Sequence, residues 1–223
     1  MGLVLFAGAL LALAALVLLA RQRLLRNRRA LRLAHYRFPP ALARKLRETY
    51  PQLNEGQVAQ VLEGLREFFA LTQQARGRLV AMPSRAVDVA WHEFILSTRA
   101  YQQFCAEALG RFLHHTPAEA MASPTHAQDG IKRAWRLACQ REKIDPKHPA
   151  ALPLLFGLDQ ALAIPDGYRY ALDCLAATTA GVAAGASTGT TFCVSHIGCG
   201  GGCAGSSGSD SGDGGDGGGC GGD

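Results

Sequence analysis

Residues 3–20 read Leu-Val-Leu-Phe-Ala-Gly-Ala-Leu-Leu-Ala-Leu-Ala-Ala-Leu-Val-Leu-Leu-Ala, with no charged or strongly polar side chain. As a helix this run spans about 27 Å, close to the hydrocarbon thickness of a bilayer. A cleaved signal peptide needs positive charge before the apolar run and a small-residue cleavage site after it. Here Met1-Gly2 carries no charged side chain and the run ends directly in Arg21-Gln22-Arg23. The expectation is an uncleaved anchor over residues 1–20.

Charge sets the expected orientation. Residues 21–47 hold ten Lys/Arg and no Asp or Glu, while the remaining chain carries 13 basic against 18 acidic residues. All ten follow the span, so the positive-inside rule puts the N-terminus outside and residues 21–223 in the cytoplasm. The same collar can rest against anionic headgroups. A basic nucleic-acid-binding face is not expected, because the positive charge adjoins an apolar run and the rest of the chain is net acidic.

Beyond the basic juxtamembrane segment, 21–39, apolar residues recur at helical spacing. Ala41–Thr49 reads as a short helix. Asn54 with Gln57 forms a capping-box pattern ahead of the stripe Val58, Val61, Leu62, Leu65, Phe68 and Phe69. Ser84 is the expected N-cap of a helix striped by Val87, Ala90, Trp91, Phe94 and Ile95, with a break at Ser97-Thr98. Tyr101, Phe104, Cys105, Ala108 and Phe112 continue the spacing. Ile131, Ala134, Trp135 and Ala138 mark a further helix, and Leu158–Ala163 a last one. No segment alternates with period two. The expected fold is all-α, a small bundle of five or six helices over residues 40–165. Residues 166–194 read as a linker. Residues 195–223, with 14 Gly, 4 Asp and 3 Cys, read as a disordered glycine-rich tail that cannot bury enough apolar surface to fold.

One constellation carries chemistry. Asp88 and His92 stand at i and i+4, on one side of a helix. The carboxylate could orient the imidazole, or both could ligate a metal. His114 or His115 could join as further ligands, a set that suits zinc or another divalent metal such as iron. The plainer reading is a hydrogen bond that satisfies a half-buried imidazole, with Cys105 a small core residue and His114-His115 at a helix end.

Val87-Asp88-Val89-Ala90-Trp91-His92, followed by Tyr101 and Cys105, resembles the core motif of the glycine-rich domain-containing protein family. That resemblance implies a helical domain of unknown biochemical activity joined to glycine-rich sequence. The family pattern runs Val-Asp-x-x-Trp-His-x-His, then Tyr and Cys. The chain departs from it at Phe94, so a site built on both histidines would lack one ligand here unless His114 or His115 replaces it.

Seven cysteines (105, 139, 174, 193, 199, 203 and 220) are expected to be reduced thiols in a cytoplasmic domain. Cys199, Cys203 and Cys220 in the tail are weak zinc candidates without a CxxC pair. No P-loop, dinucleotide, nucleophile-elbow or HExxH pattern is present. The expected function is a protein-interaction module at the cytoplasmic membrane face, with an unidentified protein partner. The alternative is a metal-binding or metal-dependent hydrolytic domain centred on His92.

Overall fold

The computed structural model describes residues 2–115, 124–172, 191–194 and 197. The tail cysteines Cys199, Cys203 and Cys220, and most of the expected linker, lie outside the described residues. The fold is all-α, as the spacing of apolar residues predicts. Its helices are α1 (Gly2–Ala34), α2 (Pro40–Thr49), α3 (Glu55–Gln74), α4 (Arg85–Leu96), α5 (Thr98–Phe104), α6 (Pro124–Glu142) and α7 (Leu154–Ala161). One turn of π-helix, Cys105–Leu109, follows α5 directly.

The apolar run and the basic segment form one continuous helix. α1 is, among the described residues, the one helix long and apolar enough to cross a membrane. Residues 8–28 are exposed, whereas Leu33 near its end is buried in the core of the domain. The junction is held by Arg66 of α3. Its guanidinium donates to the carbonyls of Leu33 (2.5 Å) and Tyr36 (3.0 Å) and lies over the Phe38 ring at 5.2 Å. A cation at a helix C-terminus satisfies carbonyls that have no partner within the helix. Arg32 also pairs with Glu107 at 2.5 Å.

The local signals hold. Asn54 and Gln57 close a reciprocal capping box, each bond 2.9 Å. Ser84 caps α4 by accepting from the Val87 N–H. The N-terminus of α4 receives a second support from α7. The buried Asp159 carboxylate accepts from Ser84 Oγ, Arg85 N, Ala86 N and Tyr168 N. A buried carboxylate needs such donors to offset its lost hydration.

Several expectations are corrected. The last helix starts earlier, at Leu154, because Pro153 precedes it and the Glu142 carboxylate accepts from the Leu154 N–H. Phe112 does not continue the helix, since the chain reverses at Gly110, whose φ is +73°. Two three-residue strands exist, β1 (Arg169–Ala171) and β2 (Thr191–Cys193), paired in parallel with Tyr170 opposite Phe192. Tyr170, Val194 and Ile197 join the buried core, which therefore reaches beyond residue 165. Finally, Cys193 is disulfide-bonded, whereas Cys105 and Cys139 are free and buried. Burial pushes the Cys139 thiol up to about 11.

Candidate functional site

The site grows from α4 and from the segment that follows the π-turn. On α4, Val87 and Trp91 face the core, and Trp91 packs on Phe68 with ring centroids 4.9 Å apart. Asp88 and His92 stand one position later on the helix, at the edge of that face. Asp88 is 19 % exposed at its side chain and His92 53 %.

The π-turn ends with the Gly110 N–H donating to the Cys105 carbonyl at 2.7 Å. Gly110 then sends residues 111–115 back across α4. Three motif residues hold that returning segment. The Tyr101 hydroxyl accepts from the Trp91 indole N–H (3.1 Å) and donates to the Leu113 carbonyl (2.5 Å). The Cys105 thiol, its pKa raised by burial, interacts with the Leu113 backbone and with Tyr101. Pinned at Leu113, the chain lays the His115 ring against Trp91 (4.7 Å) and against His92 (4.2 Å).

Asp88, His92 and His115 thereby converge. His92 Nε2 lies 2.9 Å from His115 Nε2, His115 Nε2 lies 3.3 Å from Asp88 Oδ1, and His92 Nε2 lies 3.6 Å from Asp88 Oδ2. A tetrahedral zinc site with bonds of about 2.05 Å has ligand–ligand edges of about 3.3 Å. The two ring nitrogens lie closer than that edge, at 2.9 Å, and each faces its own oxygen of the Asp88 carboxylate. Hydrogen bonding alone serves the cluster poorly. A ring nitrogen carries either one proton or one lone pair. A single proton on His115 Nε2 makes a good bond to His92 at 2.9 Å and only a long one to Asp88 at 3.3 Å, with no proton between His92 and the carboxylate. A cation at the centre satisfies all three donor atoms together.

The other expected site residues lie elsewhere. His114 is exposed and packs edge-on against Phe112, 4.8 Å between ring centroids, outside the triad. His114-His115 lies in an irregular segment and not at a helix end. Cys105 is a core residue. Position 94 is also core: Phe94 is fully buried and packs on Tyr101 and Phe104. A histidine there would point away from His92, so the second imidazole comes from His115 instead.

A cavity of about 230 Å³ opens beside the triad, sharing His115 and Trp91 with it. Sequence reading passes over its cationic side chains, Arg78 and Arg111. They stand on separate irregular segments, and no spacing in the sequence links them.

A family model described as UCP032817-like matches residues 28–197. The chain belongs to the UCP032817-like family. No curated protein and no solved structure matches it. The UCP032817-like match takes in the end of α1 that docks on the domain, all of α2–α7, and the three residues of the triad. It leaves out the apolar half of α1 and residues 198–223.

Proposed function

We propose that this chain is a membrane-anchored metal-binding domain, with a divalent cation such as zinc held by Asp88 Oδ, His92 Nε2 and His115 Nε2. The observation that carries this reading is the convergence of one carboxylate and two ring nitrogens from two segments, with the nitrogens 2.9 Å apart, His115 Nε2 3.3 Å from Asp88 Oδ1 and His92 Nε2 3.6 Å from Asp88 Oδ2. Three protein ligands leave coordination positions open, the arrangement of sites that bind water or a ligand at the metal. The half-exposed His92 gives such a ligand access from solvent. The anchor is residues 3–20 of α1, with the N-terminus outside and residues 21–223 at the cytoplasmic face. The ten basic residues that follow the span support that orientation.

The test is metal analysis of the full chain purified in detergent. About one zinc or other divalent ion per chain is expected, with His92→Ala and His115→Ala each losing most of it and His114→Ala keeping it. Equal, substoichiometric metal in all four proteins would overturn the proposal. Lower thermal stability in the His92 variant with no metal difference would mark the triad as hydrogen bonding only.

A further inference from the structure

The cavity beside the triad has an unusual charge balance. Its wall includes Arg78, Arg111, His114 and His115, and no Asp or Glu among the described residues. Arg111 has no hydrogen bond or ion pair among the described residues. Arg78 uses only its Nε, donating to the Ala75 carbonyl at 3.3 Å. Among the described residues, both guanidinium groups therefore keep their paired terminal N–H donors free. The lining also includes the apolar side chains Phe68, Val80, Met82 and Trp91. Such a volume holds a group of modest size with an anionic end and an apolar body.

We infer that this cavity is the binding site for a phosphate monoester with an apolar substituent, its phosphate held by Arg78 and Arg111 beside the His115 edge of the metal centre. The inference rests on the metal reading and specifies what the open coordination positions face. A phosphate dianion matches two guanidinium forks and a divalent cation better than a carboxylate does, because Arg binds phosphate oxygens in pairs and each fork adds a charge-assisted bond. The apolar lining fits the ester's organic part.

The ester has two available sources. Gly110, next to Arg111, lies directly against the Arg29 guanidinium of α1. Arg29 is nine residues past the end of the apolar run, about 13 Å along the helix. On the proposed anchoring the rim of the cavity thus stands just above a headgroup layer about 5–7 Å deep, facing soluble esters and the phosphates at the lipid surface.

Full chain in detergent is titrated with phenyl phosphate, with fluorescence of the cavity residue Trp91 as readout and metal content measured on the same samples. Saturable binding is expected, weakened about tenfold or more in Arg78→Gln and Arg111→Gln at unchanged metal content. Both arginines are exposed, so the variants fold. A second arm reconstitutes the chain in phosphatidylcholine vesicles with or without phosphatidic acid. Loss of phenyl phosphate binding only in the phosphatidic acid vesicles identifies the lipid as occupant, and unchanged binding identifies a soluble ester. One metal per chain with no saturable binding, or binding that neither arginine variant alters, would overturn this inference and leave the metal centre standing. Absence of metal in the wild-type chain would overturn both.

Discussion

At the scale of single residues, the motif Val87, Asp88, Trp91, His92, Tyr101 and Cys105 divides into donors and holders. Asp88 and His92 present ligand atoms. Trp91, Tyr101 and Cys105 present none, yet they fix the Leu113 carbonyl and so the place of His115. Groups that orient metal ligands typically change affinity 10- to 100-fold when removed. Tyr101→Phe deletes one hydroxyl and leaves the Trp91 N–H and the Leu113 carbonyl without their partner. We expect a loss of about 1–3 kcal/mol in stability and a weaker metal affinity by the factor above. Thermal unfolding and competitive zinc titration measure the two. An unchanged zinc affinity would assign Tyr101 to packing alone.

At the scale of elements, the site depends on how closely α4 approaches α3 and α7. Gly64 of α3 permits that approach. A Cβ there would meet Val87 Cγ2 at 2.9 Å and Leu158 Cδ2 at 3.0 Å. Gly64→Val should destabilise the domain by about 1–3 kcal/mol, lowering Tm by about 2–4 °C per kcal/mol for a chain of this size. Circular dichroism melting tests it. Helices of this kind were legible because their signals are local. A capping box acts over three residues, an amphipathic stripe over one helix, and Asn54, Gln57 and Ser84 could be read directly. The triad was only half legible. Asp88 and His92 share a helix, but His115 arrives through a reversal at Gly110 and contacts made 10–27 residues apart in the chain. Likewise β1 and β2 were not legible, since three residues are too few to alternate. The grip of Arg66 on α1 spans about 30 residues and leaves no periodic trace.

At the scale of the whole molecule, the anchor and the cysteines make opposing demands. A cytoplasmic domain keeps its thiols reduced, yet Cys193 is bridged in the structure. The redox state of Cys193 in the cell therefore tests the proposed orientation. Rapid acid quenching, alkylation and peptide mass mapping would detect it. A bridge surviving in quenched cells would put the domain on the other side of the membrane. The buried thiol of Cys139 serves as an internal control. With its pKa near 11 it should resist alkylation at neutral pH until the chain is unfolded.

The contact between Arg66 and the end of α1 has a mechanical consequence. A domain on a loose tether sweeps a hemisphere above the lipid, whereas this one is clamped to its own stalk. Residues 21–34 add about 21 Å of rigid helix between the apolar run and the clamp. On the proposed anchoring, the triad would consequently stand at one set height, meeting molecules in a thin layer above the bilayer. Changing the stalk's length by one residue would also turn the domain by about 100°, swinging the cavity mouth around the stalk with no change in the site itself.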